Sequence, residues 1–275
     1  MFFTCDNENF RYTGRFGECS AWAAKPNMTT VTPGAYFEFL FVGEYAEMMF
    51  DVDLSYEPRG HLYIEVDGGA RIESTIEKFV RISAKGEGPH YVKVIYKSTV
   101  EQLNRWYLPL NNKLAFLGAD AQGLTSLPAD NRKTVEYIGD SITEGVLVAT
   151  NKVYSVDAKN RPWQDDATST WGWLFCEAMN FRPYSMGYGA TGLTRSGCGC
   201  VPKAADAYPF NFEKCPINFP SCDYIIINHG ANDRASGNVP NERYYVEYEA
   251  FLKLLRERNP ESKIVILTPF TGPTV

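Results

Sequence analysis

Hydrophobic and polar residues alternate in short runs over residues 1–118. The runs 35–41, 46–53, 61–66 and 91–96 are rich in β-branched and aromatic residues, and turn residues separate them at the spacing typical of a β-sandwich. Asp67-Gly68 follows one run directly. This dipeptide predicts a hairpin, because both central positions of such a tight turn need a positive φ. We therefore predict a β-sandwich domain over residues 1–118.

The pattern changes in the second half of the chain. Residues 119–132 are small, polar and rich in turn formers, so we predict a linker there. From residue 133 onward, strand and helix patterns alternate, and the runs 223–228 and 263–268 are continuously apolar, as in strands buried on both faces of a parallel sheet. We predict an α/β domain over residues 133–275, with parallel strands near 134–138, 183–187, 223–228 and 263–268 in the order 2-1-3-4.

Two stretches have the periodicity of amphipathic helices. Asn241–Arg258 has one apolar face, an i,i+4 pair of Glu249 and Lys253 on the other, and Pro260 beyond its end. In the other stretch the apolar positions share one helical face that we expect to be buried: Trp171, Leu174, Phe175, Ala178 and Met179.

A serine follows the first predicted parallel strand, in Gly139-Asp140-Ser141-Ile142-Thr143-Glu144-Gly145. Ligands of open α/β sheets bind at the carboxyl ends of the strands, where backbone N–H groups can stabilise negative charge. A hydroxyl at this position could act as a nucleophile beside oxyanion donors. Gly-Asp-Ser is also an ordinary turn, so the heptad alone leaves both interpretations open.

Two more turns follow the next parallel strands. The stretch 185–192 contains Gly189, and His229-Gly230-Ala231-Asn232-Asp233 offers a side-chain amide. An oxyanion hole needs two or three fixed donors of this kind. Three such turns at the ends of consecutive strands favour a catalytic site.

Gly139-Asp140-Ser141, Gly189 and Gly230-Ala231-Asn232-Asp233 resemble the first three blocks of the SGNH (GDSL-type) hydrolase superfamily. The resemblance implies a flavodoxin-like three-layer fold with Ser141 as the nucleophile. It also implies an oxyanion hole formed by the N–H groups of Ser141 and Gly189 and by Asn232. Asp140 and Asp233 would support these residues, and no cofactor is expected.

The first half resembles the jelly-roll domain that precedes the hydrolase domain in carbohydrate esterase family 2. The similar stretches are 11–16, the 64–68 hairpin and 88–94, which leads to Lys97 and Glu101. The resemblance implies removal of acetyl groups from a carbohydrate such as xylan or glucomannan. Trp163, in a polar insertion, is the candidate for a substrate wall, whereas the helical spacing of Trp171 favours a place in the core.

The sequence departs from the superfamily at the general base, which an Asp-x-x-His block normally supplies. The chain has three histidines. We expect His61 and His90 to be structural, and His229 is the remaining candidate base. A serine without a base is a poor nucleophile. The sequence thus predicts a domain without its last strand, last helix and catalytic histidine, inactive alone and able to self-associate through the sheet edge at 263–268.

Other functions stay open at this point. The crevice could bind a carbohydrate without cleaving it, in a binding or scaffold protein, or the domain could be a lipase or thioesterase of the same superfamily. An intact serine favours the esterase, and the lack of an Asp-x-x-His block favours binding.

Composition excludes some partners and leaves the cysteines open. With a net charge of −6 and no basic run, we expect binding to neither nucleic acid nor membranes. The start of the chain lacks a signal-peptide pattern, so we expect a cytoplasmic protein, or a secreted one if a leader was removed. Four of the seven cysteines cluster at Cys198, Cys200, Cys215 and Cys222. Their spacing departs from zinc knuckles, so we expect thiols rather than a metal site, with zinc or one disulfide as alternatives.

Overall fold

The computed structural model describes residues 1–19, 26–150, 161–235 and 239–270. Its amino-terminal part is antiparallel. The strands are β1 (Phe2–Thr4), β2 (Arg11–Thr13), β3 (Gly17–Glu18), β4 (Met28–Thr30), β5 (Tyr36–Phe50), β6 (His61–Val66), β7 (Ile72–Thr75), β8 (Phe79–Ser83), β9 (His90–Ser98) and β10 (Leu114–Thr125). They form one ten-stranded sheet in the order β3-β4-β10-β5-β9-β6-β7, with β1 on β10 and both β2 and β8 on β5.

This sheet folds over on itself to form a sandwich. The strand β5 is 15 residues long, and it pairs with β9 up to Phe41 and with β8 from Tyr45 onward. Between these segments lies Gly43 with a φ of +104°, a conformation that glycine adopts without strain. The layers enclose an aromatic core in which Phe37 and Phe116 stack with ring centroids 4.3 Å apart. The predicted hairpin is also present, since Asp67 and Gly68 both have positive φ.

The strand β10 extends into the predicted linker. It runs to Thr125, so residues 119–125 of the predicted linker 119–132 belong to the sheet. Ala119 and Ala121 are buried in the sandwich core, where their small side chains fit beside the paired strands. The sequence did not predict a strand here, because alanines that alternate into the core give only a weak hydrophobic pattern.

The second half contains the parallel sheet. Its strands and helices are β11 (Thr134–Gly139), α1 (Ser141–Glu144), α2 (Arg161–Gln164), α3 (Trp171–Ala178), β12 (Arg182–Gly187), α4 (Ala204–Ala207), β13 (Phe210–Phe212), β14 (Cys215–Pro216), β15 (Tyr224–Asn228), α5 (Ala231–Ala235), α6 (Asn241–Arg258) and β16 (Lys263–Ile266). The parallel strands have the order β12-β11-β15-β16. This is the predicted order 2-1-3-4, and β13 and β14 form a separate hairpin.

The two long helices differ in how well the sequence predicted their faces. Helix α6 buries Phe251 and Leu255 as predicted, and Glu249 and Lys253 form an exposed ion pair of 2.7 Å. The predicted face of α3 is wrong, because Leu174 and Met179 are exposed and the buried residues are Gly172, Trp173 and Cys176.

A contact with the sandwich explains the orientation of α3. The ring of Trp173 packs edge-on against Tyr36 of β5, with centroids 6.1 Å apart. Burial of so large a side chain between the two sheets outweighs burial of the predicted apolar face. Arg15 and Glu136 form a buried ion pair of 2.8 Å across the same interface. Within the described ranges, none of the helices combines the length and apolar composition that a membrane crossing requires.

Candidate active site

Ser141 is the first residue of α1, immediately beyond the carboxyl end of β11. Asp140 caps this helix, because its Oδ1 accepts a hydrogen bond of 3.0 Å from the Ile142 N–H. The side chain of Ser141 is half-buried. The cap therefore fixes the backbone on both sides of the hydroxyl that the sequence singles out.

Asn232 reaches this turn from the end of β15. Its Nδ2 donates 3.2 Å to Asp140 Oδ2 and 3.1 Å to the Thr191 carbonyl. Asp233 is buried and accepts from the Leu193 N–H at 3.0 Å and the Thr194 N–H at 2.7 Å. The structure thus joins the turns after β11, β12 and β15, as expected for one site at the carboxyl edge of the sheet.

Gly189 lies in the turn after β12, and its N–H points to a side chain of α1. It donates 2.6 Å to Glu144 Oε2, and Glu144 in turn pairs with the buried guanidinium of Arg105. A methyl group at position 189 would overlap the carboxylate of Glu101. A larger residue here would therefore require the Glu101 carboxylate to move, and in this structure Glu144 satisfies the Gly189 N–H.

Burial shifts the ionisation of the carboxyl groups around Ser141. It raises the pKa of Asp140 to about 6, although the hydrogen bond from Ile142 N–H opposes the shift. It also raises the pKa of Asp165 to about 7, and that of Glu101, to which the charge of Glu144 adds. Carboxyl groups with raised pKa values in a polar cleft are a common feature of functional sites.

Trp163 stands on α2, with 57% of its surface exposed. Its ring packs edge-on against the ring of His61, with centroids 4.3 Å apart. The Pro162 carbonyl beside it accepts from Lys97 Nζ at 2.7 Å and from Ser98 Oγ at 2.6 Å. Hydrogen bonds from the sandwich to the neighbouring main chain therefore fix the position of this exposed indole. Only residues 146–150 and 161–170 of the polar insertion lie within the described ranges.

The remaining tryptophan candidate near the crevice is partly buried. Trp171 packs edge-on against Tyr137, with centroids 5.8 Å apart, and its Nε1 donates 3.2 Å to Thr143 Oγ1. These contacts place it between α3 and the parallel sheet, although the rest of the helical face predicted with it is exposed.

None of the three histidines hydrogen-bonds Ser141 within the described part of the chain. His61 pairs with Glu73 at 2.7 Å, and His90 with Asp67 at 2.7 Å, both inside the antiparallel sheet. His229 is buried against Phe251, and this burial lowers its pKa to about 4. A histidine with so low a pKa is a weak proton acceptor.

The cysteines are all free. In the parts of the chain that the structure describes, no three cysteine, histidine or acidic side chains approach closely enough to hold a metal ion. Burial raises the pKa of the Cys198, Cys215 and Cys222 thiols, which favours the protonated thiol over a metal-binding thiolate.

The charged residues behind the site were not predicted from the sequence. Glu144 was within the heptad but had no assigned role, and its position one turn after Ser141 was the available signal. Arg105 lies in an irregular segment 39 residues from its partner Glu144. No local pattern predicts a pairing over that distance.

Comparisons with known proteins identify the family and the fold of the chain. Residues 137–275, just over half of the chain, match the model of the GDSL-like lipase/acylhydrolase family. The chain belongs to the GDSL-like lipase/acylhydrolase family. Among curated proteins, none matches this sequence.

Several solved structures are similar to this GDSL-like protein over almost its whole length. A family two carbohydrate esterase from Clostridium thermocellum in complex with cellohexaose has a TM-score of 0.76 at 19% identity, over 97% of this chain and 78% of that one. A family two carbohydrate esterase from Cellvibrio japonicus has a TM-score of 0.77 at 17% identity, over 97% and 78% of the two chains. The acetyl xylan esterase Est2A from Butyrivibrio proteoclasticus has a TM-score of 0.69 at 19% identity, over 99% and 82%. These similarities establish the two-domain fold.

Proposed function

We propose that this GDSL-like protein is a serine esterase that removes acetyl groups from a carbohydrate. One observation carries the proposal. The carboxylate of Asp140 caps the helix that begins at Ser141 and also accepts from the amide of Asn232. A nucleophile and a neutral hydrogen-bond donor are thereby held side by side, as acyl transfer requires.

In the proposed reaction, Ser141 Oγ attacks the carbonyl carbon of the acetyl ester and gives its proton to a general base. The N–H of Ser141 and the amide of Asn232 stabilise the oxyanion, while the Gly189 N–H stays bonded to Glu144. The sugar hydroxyl leaves with the proton, and water then hydrolyses the acetyl-serine to acetate. Asn232 would exchange its hydrogen bond to Thr191 for a stronger one to the oxyanion.

The identity of the substrate rests on two supports. Trp163 offers an exposed aromatic ring on a fixed main chain, and aromatic faces commonly pack against sugar rings. Similar structures include one with bound cellohexaose and an acetyl xylan esterase. We therefore propose an acetylated, β-linked plant polysaccharide such as xylan or glucomannan.

The test compares the wild-type protein with its Ser141→Ala variant. We expect wild type to release acetate from acetylated xylan and from 4-nitrophenyl acetate, and the variant to lose this activity. Full activity in Ser141→Ala would exclude the mechanism.

A second candidate is a carbohydrate-binding crevice without catalysis. It is favoured by the lack of any hydrogen bond from a histidine to Ser141 in the described residues. If this candidate is right, both wild type and Ser141→Ala bind cellohexaose or xylan oligomers equally in calorimetry, and neither releases acetate.

A further inference from the structure

The segment between β9 and β10 inserts an arginine behind the candidate active site. Arg105 is fully buried, and its two terminal nitrogens both donate to Glu144, one of them at 3.0 Å. Its guanidinium also lies over the ring of Tyr188, 5.2 Å from the centroid. A residue from the amino-terminal part of the chain thus neutralises a carboxylate on the helix that begins at Ser141.

Glu144 connects Arg105 to the turn after β12. Its Oε2 accepts from Arg105 and from the Gly189 N–H. The main chain makes a second connection, because the Arg105 N–H donates 3.0 Å to Gly199 O and the Cys198 N–H donates 2.8 Å to Gly189 O. Side-chain and backbone hydrogen bonds therefore lead from one segment to the same glycine.

We propose that Arg105, acting through Glu144, is a positioning residue for the Gly189 turn, so that the amino-terminal part of the chain completes the crevice. The proposal rests on the proposed function and deepens it. In this arrangement the sandwich is a structural part of the catalytic site as well as its neighbour.

The chemistry of the pair supports this role. A buried carboxylate that loses its cation is left uncompensated, and breaking such a pair by removing one partner is strongly unfavourable. The carboxylate of Glu101 lies on the other side of Gly189 and adds like charge. Loss of Arg105 would therefore move Glu144 and the turn with it. A displacement of about 1 Å at a reacting group can reduce the rate about 10²-fold.

The structure supplies a matched control in a second buried pair. Arg15 and Glu136 also join the two parts of the chain, at 2.8 Å with both side chains inaccessible. Arg15 further donates to the carbonyls of Tyr208 and Phe210, each at 3.0 Å, and none of these residues contacts Gly189 through a hydrogen bond. Arg15→Met therefore removes a comparable pair without touching the proposed positioning contacts.

The experiment measures the full-length gene product and its Arg105→Met and Arg15→Met variants. We expect both variants to have a lower Tm. Only Arg105→Met should lose activity on 4-nitrophenyl acetate, with kcat about 10²-fold lower and KM changed less than about twofold. An equal loss of kcat in Arg15→Met would overturn the positioning role, as would an unchanged kcat in Arg105→Met.

Hydrogen exchange of the Gly189 amide gives a readout that needs no catalysis. In protein labelled with ¹⁵N-glycine, this amide should be protected in wild type and in Arg15→Met, and should exchange at least about tenfold faster in Arg105→Met. If Arg105→Met does not fold, Glu144→Gln serves in its place. Unchanged protection would overturn the proposal, whereas a wild type without esterase activity but with this exchange pattern would overturn only the proposed function.

Discussion

The carboxyl edge of the parallel sheet and its outer strand β16 are held in opposite ways. At the carboxyl edge, Asp140, Glu144 and Asp233 are buried, and each accepts hydrogen bonds from more than one donor. Among the described residues, the strand β16 pairs with β15 alone, and Ile266 leaves 51% of its surface exposed. A groove of 600 Å³ beside it is lined by Leu252 and Ile264 among others.

The two regions should therefore respond differently to substitution. When one member of a buried hydrogen-bonded pair is removed, the other is left unsatisfied. A single substitution at the carboxyl edge therefore also destabilises the neighbouring residues. An exposed apolar edge loses little when it is changed. It can instead gain a contact with another chain.

After Ser141→Ala, the largest effect is expected for Asn232→Ala. Removal of one oxyanion donor typically lowers kcat by about 10² to 10³-fold, and KM should change little because the donor acts on the developing charge. Steady-state kinetics of the full-length product on 4-nitrophenyl acetate measure this. An unaltered kcat would mean that the turns meet at this edge for a reason other than catalysis.

Asp140 should give stability a pH dependence. Its pKa is raised to about 6 in the folded state from an ordinary 3.8, so protonated Asp140 stabilises the fold below about pH 4 and this contribution is lost as the pH rises to about 6. The shift corresponds to at most about 3 kcal/mol. Urea unfolding across this range should show a fall in the free energy of unfolding in wild type that is smaller in Asp140→Asn. Parallel curves would contradict the shifted ionisation.

A smaller effect is expected at the outer strand. Lysine on a strand edge opposes pairing with another chain, so Ile266→Lys should weaken self-association of the protein by about tenfold, or about 1.4 kcal/mol. Light scattering against concentration measures this. Leu174→Lys on α3 is the matched control, because Leu174 and Ile266 are equally exposed at 51%. If Leu174→Lys weakens association more, the contact lies on α3 and not on β16.

The smallest effect is expected for Lys253→Ala on α6. Its pair with Glu249 is exposed, and solvent screens such i,i+4 pairs so that they contribute little to stability. Urea unfolding should detect no measurable loss. A clear fall in the free energy of unfolding would show that the outer surface of α6 is more constrained than its exposure indicates.

The sequence predicted features that repeat along the chain better than contacts between distant segments. The parallel strands and α6 have strong periodicity, and their order was predicted correctly. The predicted apolar face of α3 was wrong, because Trp173 is buried by Tyr36 of another sheet. Ala119 was placed in the linker because its side chain is too small to signal burial. The Ser141 turn followed from local pattern, whereas the pairing of Arg105 with Glu144 depends on how the two sheets meet.

The long strand β5 has a consequence for how the sandwich comes apart. Its 15 residues run through both layers, and β10 accompanies it on either side of Gly43. Neither layer can melt while the other keeps its own strands, because β5 and β10 are common to both. We expect the sandwich to unfold as one cooperative unit, with no stable intermediate for a protease to cut at the bend.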